Sequence, residues 1–361
     1  MRSAIGLSLV RAAAVVGMWL SSAAVGAQAQ CPGFAYVASR DDNAVVIFRL
    51  DAETAHLRAA GSAPAGASPS AVALDPKHRY LFVANEDSDD VSVYAIDCAS
   101  GGLAAVPGSP FAAGASPLAL AVDPSGGFLY VANHLSNDVS AYAIEPGSGA
   151  LRPLPGSPIA SGKRPTAIVV EPRGRFVYVA SRRSNSINAF RVDTASGAML
   201  EIPGSPFAFG DGPVAMAVDP HGAFIYVAHG GAGSLSVRAI DPRTGALAAA
   251  RRRAVDVPAF PKAIAIDPTG TRVYVATRGG LTVFQRDGDG DLTLSPGAPL
   301  LSIDSPLAID VDPRGEFAFV SRLSEPSASQ YLIDLNTAVV LTGRGASGPR
   351  FPRGLVVMPA R

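Results

Sequence analysis

The sequence predicts an all-β fold, a seven-bladed β-propeller with four antiparallel strands per blade. Three observations carry this reading. Asp-Pro turns recur at Asp75-Pro76, Asp123-Pro124, Asp219-Pro220, Asp267-Pro268 and Asp312-Pro313, with a Glu variant at Glu171-Pro172. Four successive steps between them are 48 residues and the last is 45; a fixed period of this length marks repeated supersecondary units. Runs of the Tyr-Val-Ala type recur at 34–38, 81–84, 129–132, 177–180, 225–228, 273–276 and 318–321, which sets the count at seven. With 37 glycines, 30 prolines and only 17% charged residues among 361, the composition suits short strands joined by tight turns.

One repeat shows how the elements follow from the residues. The apolar run 118–122 reads as a first strand buried on both faces. Residues 123–126 form a turn, since Asp supplies a local hydrogen bond and Pro a fixed φ. Residues 128–132 make a second strand, the loop 133–138 follows, and the alternating run 139–144 makes a third. A further turn at 145–149 leads to an outer fourth strand at 150–154, ending in Pro155-Gly156-Ser157-Pro158. Four antiparallel strands per repeat make a propeller blade. The N-terminal copy starts at a second strand, and the C-terminal segment 353–359 has the character of a first strand. These two pieces complement each other, so N- and C-terminal strands are expected to pair and close the ring, which removes the open ends of a linear array.

Residues 1–29 read as a secretory signal peptide: Arg2 and Arg11, an apolar stretch at 12–20, then Ala27-Gln28-Ala29 as a small-x-small cleavage site. Residues 30–361 are then a single propeller domain of an exported protein, periplasmic or secreted. Gln28-Ala29-Gln30 does not match the small residues that precede a lipidated cysteine, and no other segment is apolar enough to span a bilayer. The net charge is zero, which gives no electrostatic case for nucleic acid. Only Cys31 and Cys98 are present. They occupy the start of a second strand and the end of a third in adjacent blades, positions that allow a disulfide; two separate thiols are the alternative.

Function has to come from positions where the copies differ. Directly after each Tyr-Val-Ala-Asn motif or its equivalent stand Arg40, Glu86, His134, Arg182, Gly230, Arg278 and Arg322. Arginines offer planar, permanently charged donors for carboxylate or phosphate, and His134 can exchange a proton near neutral pH. The loops ahead of the first strands add Lys163, Arg164, Lys262, Arg350 and Arg353, against Asp211 and Asp304. An ordinary solvated loop face is the plain alternative, because Asp41, Asp42, Asp87, Asp89, Asp90, Asp138 and Glu325 lie there too. Asp287, Asp289 and Asp291 begin like a calcium loop but lack its Gly at position six and Glu at twelve, so they read as a polar turn. Arg251, Arg252 and Arg253 read as charge on an outer strand, a defence against edge pairing. His56, His78 and His221 show no ligand spacing. No phosphate loop, Gly-x-Ser-x-Gly, His-Glu-x-x-His or paired CxxC motif occurs, and neither cofactor nor metal is expected.

The Asp-Pro-x-Gly-x-Phe-x-Tyr-Val-Ala-Asn core, Asn-x-Val-Ser-x-Tyr and Gly-Ala-Leu-x-x-x-Pro-Gly-Ser-Pro-Phe resemble the seven-bladed lactonase-like propeller family of 6-phosphogluconolactonases and carboxymuconate cyclases, over roughly residues 34–359. The resemblance implies a histidine and arginines acting on one propeller face. His134 and Arg182, one blade apart, match those positions, and Arg278 and Glu86 match more loosely; with Arg40 and Arg322 of the same column they are expected to bind substrate. It further implies a small anionic or lactone substrate bearing a carboxylate, opened or formed by hydrolysis or cycloisomerisation. A leader peptide argues against 6-phosphogluconolactone itself, which belongs to the cytosol. The competing expectation is a non-catalytic exported propeller that binds a ligand or a protein partner through the same face.

Overall fold

The computed structural model describes residues 31–50, 57–249, 254–257, 260–295, 306–312, 314–322, 329–334, 340–342 and 351–359. The leader peptide, His56, Arg251–Arg253, Asp304, Glu325 and Arg350 lie outside them. Within the described residues every regular element is a β-strand, and none is a helix able to cross a membrane. The protein is an all-β propeller.

The described strands form seven antiparallel sheets, numbered here as blades in chain order. Blade 3 is typical: Pro117–Val122, Phe128–Asn133, Asp138–Ile144 and Leu151–Pro153 lie side by side from the axis outward. Blade 1 takes its innermost strand, Pro352–Met358, from the other end of the chain. That strand pairs with Gly33–Ser39, setting Phe34 opposite Met358 and Tyr36 opposite Val356. It also touches the innermost strands of blades 2 and 7.

Burial follows the layers. Second strands are the core: Tyr36, Tyr130, Tyr178 and Tyr226 are fully enclosed, as are the valines and alanines beside them. The first strands differ from the expected burial on both faces. In Pro117–Val122 only Pro117 and Leu120 are buried and the rest are half-exposed. These strands border the axial opening, where Val72, Ala73, Ala121, Val122, Val169 and Val356 line a cavity of about 400 Å³.

The Asp-Pro turns are structural, as the recurrence implied. Asp123 Oδ1 accepts from the N–H groups of Gly127 (2.8 Å) and Phe128 (2.7 Å), tying the turn to the second strand. Asp219 does the same for Ala223 and Phe224, and Asp312 for Glu316 and Phe317. Glu171 reaches Arg173 and Arg175 with its longer side chain. These carboxylates are buried and occupied by backbone donors, so they form no catalytic array.

The outer strand ends ahead of the Pro-Gly-Ser-Pro motif as expected, at Pro153 in blade 3, but a short further strand follows the motif. In blades 2 to 4 the motif makes a cis Ser-Pro corner, after which Phe111–Ala112, Ile159–Ala160 and Phe207–Ala208 rejoin the third strand. The serine stands in for the interrupted ladder: Ser157 Oγ accepts from Ala141 N–H at 2.9 Å, and Ser109 and Ser205 do the same.

Neighbouring blades are latched by a repeated contact. Tyr130 donates its hydroxyl to the Gly197 carbonyl at 2.9 Å, 67 residues on, and Tyr36 and Tyr178 bind Gly101 and Gly245 likewise. Gly197 has φ +74°, and a Cβ there would overlap the Phe128 ring, so only glycine fits. Cys31 and Cys98 form a disulfide across the same blade pair as Tyr36 and Gly101, with Cα atoms 5.2 Å apart and a sequence separation of 67. Removing one latch, as in Tyr130→Phe, strands a buried carbonyl and is expected to cost about 1–3 kcal/mol in denaturant unfolding, with no change in the lactone assays below.

Candidate active site

The irregular column is carried by a regular backbone. In the column the backbone N–H donates to the carbonyl of the residue ahead of an innermost strand in Glu86 (to Ser68), His134 (to Ser116), Arg182 (to Arg164) and Gly230 (to Gly212). Arg40 and Arg278 bond Phe351 and Phe260 in the same way. The inner loops of blades 2 to 5 are also fastened to the preceding blade. Ser68, Arg164 and Gly212 N–H donate to Asn43, Asn137 and Asn185 Oδ1, and Ser116 N–H to Asp89 Oδ1. One layer down, Asn85 and Asn133 donate to Asp90 and Asp138 and to Ser92 and Ser140. The face is a rigid frame on which only the side chains vary.

Two column residues meet in one cavity. His134 and Arg182 line a depression of about 400 Å³ together with Arg164, Arg183, Asp211, Gly212 and Gly231. Every side chain in that lining is polar or absent. His134 is half-buried, and its Nδ1 lies 2.9 Å from the Pro165 carbonyl oxygen. A carbonyl can only accept, so Nδ1 carries the proton. The neutral ring then keeps a lone pair on Nε2, the arrangement of a general base. Arg182 is exposed, and a Cβ placed on Gly212 would touch its Cγ at 4.0 Å, so its stem runs beside that glycine.

Blade 5 makes the room. Its column residue is Gly230, followed by Gly231, opposite a loop holding Gly210 and Gly212. A Cβ on Gly231 would come within 2.9 Å of Asp211 Oδ2. His229 replaces the asparagine of blades 2 and 3, donating to or accepting from Ser236 at 2.9 Å. Burial pushes its pKa down, only partly offset by the charge of Asp211. It belongs to the scaffold beneath the cavity.

The other column residues sit apart. Arg40 Nη2 lies 3.5 Å from Glu86 Oε2 and 4.0 Å from Asp87 Oδ2, so these side chains satisfy one another across blades 1 and 2. Arg353 is close to this group; burial, then Arg40, lowers its pKa, and Glu86 opposes them. Arg278 is exposed on blade 6. Arg322 ends the second strand of blade 7. None of Arg40, Glu86 and Arg278 lines the depression around His134. The column pattern alone did not single out Arg183 or the glycines of blade 5; Gly230 in a column of charged residues was their one visible trace.

Other candidates remain structural. Asp287 Oδ1 accepts from the N–H groups of Asp289 and Asp291, which makes the acidic run a polar turn. Among the described residues no cluster of three or more potential metal ligands occurs. His78 and His221 lie in the turns after Asp75 and Asp219.

One histidine and three arginines thus share a single depression on this β-propeller. Family comparison then places the chain: it belongs to the lactonase family of seven-bladed β-propellers, whose model matches residues 21–111, 109–260 and 203–306. No curated protein matches the sequence. Solved structures share the fold at low identity. A candidate 6-phosphogluconolactonase from Bacteroides fragilis is 19% identical with a TM-score of 0.76, over 91% of this chain and 98% of its own. A second, from Bacteroides uniformis, is 17% identical with a TM-score of 0.77, over 91% and 100%. The periplasmic gluconolactonase PpgL of Pseudomonas aeruginosa is 18% identical with a TM-score of 0.75, over 90% and 98%.

Proposed function

We propose that this chain is an exported lactonase that hydrolyses a carboxylate-bearing lactone at the cavity between blades 3, 4 and 5. We read the seven sheets, four of them four-stranded and three with a short fifth strand, as one closed ring, fastened where Pro352–Met358 pairs with Gly33–Ser39, with the cavity on one face. The observation that carries the proposal is His134, its Nδ1–H fixed on the Pro165 carbonyl, sharing one cavity with Arg182.

In this reading His134 Nε2 takes a proton from water as the water oxygen bonds to the lactone carbonyl carbon. The carbonyl π electrons move to oxygen, and Arg182 stabilises that oxyanion. Collapse breaks the ring C–O bond, and the imidazolium returns the proton to the leaving alkoxide. A hydroxy acid results, with the atoms of one water added. Cycloisomerisation of an unsaturated acid would use the same proton shuttle. Arg40, Glu86, Arg278 and Arg322 would form the rim that steers an anion inward. The Cys31–Cys98 disulfide supports export, since such bonds persist in oxidising compartments. The leader-like residues 1–29 support it too.

The test is an assay of the mature chain on sugar-type and muconate-type lactones beside His134→Ala and Arg182→Ala. His134→Ala is expected to lose about 10²–10⁴-fold in kcat, and Arg182→Ala about 10²–10³-fold. Turnover unchanged in both variants would sink the site assignment. No turnover of any lactone by the wild type would favour a binding propeller.

A further inference from the structure

We propose that Arg164 determines substrate choice in this cavity by holding the pendant carboxylate of the lactone, while Arg182 serves the oxyanion of the reacting carbon. The inference rests on the lactone reading and adds a specificity-determining side chain to it. Hydrolysis of such a substrate develops two separate negative centres, the pendant carboxylate and the oxyanion. A single guanidinium cannot lie in the plane of both, so the site needs two.

The structure offers Arg164 for the second role. It is half-buried in the cavity lining, whereas Arg183 is exposed. Among the described residues it forms no ion pair. The loop does not require it: Arg164 has φ +57°, and the same position holds Ser68 at +55°, Ser116 at +58° and Gly212 at +64° with the same backbone bonds. An arginine there is tolerated by the fold and idle unless it meets a ligand.

Its placement is also coupled to both reacting groups. The Arg164 carbonyl accepts from Arg182 N–H at 3.0 Å, and the next carbonyl, that of Pro165, holds the His134 ring. Arg164 N–H in turn is fixed on Asn137 Oδ1 at 2.8 Å. One braced dipeptide therefore sets the base, the oxyanion donor and the carboxylate donor relative to one another. Asp211 in the same lining repels a carboxylate that enters the other way round.

Arg164→Ser, which installs the residue of blades 2 and 3, tests this. The probes are 5-oxotetrahydrofuran-2-carboxylate and uncharged γ-butyrolactone. KM for the carboxylated lactone is expected to rise about tenfold or more with kcat nearly unchanged, γ-butyrolactone kinetics to stay the same, and Arg164→Lys to recover part of the loss. Calorimetric titration with glutarate and butyrate gives a readout free of turnover: glutarate weakens about tenfold in Arg164→Ser and butyrate does not. If the wild type turns over no lactone yet glutarate binding still depends on Arg164, the reaction assignment fails and this one stands. If lactones turn over and Arg164→Ser alters both lactones equally, or neither, the assignment of Arg164 is overturned. Failure of the wild type to bind glutarate overturns it as well.

Discussion

A chain lacking residues 352–361 is expected to lose its cooperative fold. The deletion removes the innermost strand of blade 1, which pairs along Gly33–Ser39 from Phe34 to Ser39. Leu355, Val356, Val357 and Met358 go with it. Val357 and Met358 are buried, and Met358 packs in one cluster with Phe34, Tyr36 and Leu81. At about 1.5–3 kcal/mol for each of the two buried side chains, and about half that for the partly buried Leu355 and Val356, the loss is roughly 5–9 kcal/mol. A domain is stable by about 5–15 kcal/mol in all, so one strand rivals the total. The deletion also uncovers the hydrogen-bonding edge of a fully buried strand, which invites association. Thermal melting and size-exclusion chromatography read the result. A monomer that melts cooperatively at nearly the wild-type temperature would show the strand to be dispensable.

Stability is expected to fall between about pH 4 and pH 7 through Asp310. Opposite each second-strand aromatic the innermost strands place Ala73, Ala121, Val169, Ala217, Ala265 and Val356; blade 7 places Asp310 there instead, opposite Phe319. Its Oδ2 accepts from Val357 N–H at 2.9 Å, tying blade 7 to the same C-terminal strand, and Oδ1 accepts from Val311 N–H. Burial raises its pKa to about 7, which the two N–H donors oppose and nearby Asp312 reinforces. The unfolded chain releases this proton near pH 4 while the folded chain keeps it to about pH 7. The folded state therefore binds more protons in that window, and its stability drops as pH rises, by up to about 4 kcal/mol. Asp97, Asp193 and Asp241 act in the opposite sense. Hydrogen bonds from neighbouring N–H and hydroxyl groups lower their pKa values, so their contribution is lost as pH falls through the folded values. The difference between Asp310→Asn and wild type isolates the one group. Denaturant unfolding at pH 4 and pH 8 should show the variant gaining relative stability at the higher pH. A difference that stays constant across this range would remove Asp310 from the account.

Much of this molecule was legible in the residues because the copies could be set against one another. The Asp-Pro turns were assigned to structure by recurrence, and the buried carboxylates of Asp123, Asp219 and Asp312 with their N–H partners explain why every blade needs one. The placement of Cys31 and Cys98 in adjacent blades allowed the disulfide that is present. The first strands were misjudged because an apolar run looks alike whether it is enclosed or borders an opening; only the arrangement of blades around an axis distinguishes them. The Pro-Gly-Ser-Pro segment does end the outer strand, but the short strand beyond it leaves no mark in the sequence, because two residues are too few to show a period. The hydroxyls of Ser109, Ser157 and Ser205 repair the ladder there.

Repetition by itself determined that this chain makes blades, how many runs it supplies for them, and which column breaks the pattern. It could not rank that column, since residues one period apart are equivalent in sequence whatever lies between their side chains. Tertiary structure decided the ranking through three contacts. Arg40 and Glu86 neutralise each other. His134 is oriented by a carbonyl from the next blade. Gly212 and Gly231 leave space beside Arg182. Charge pairing, tautomer and empty volume all depend on neighbours tens of residues away, which is why they appear only once the blades are assembled.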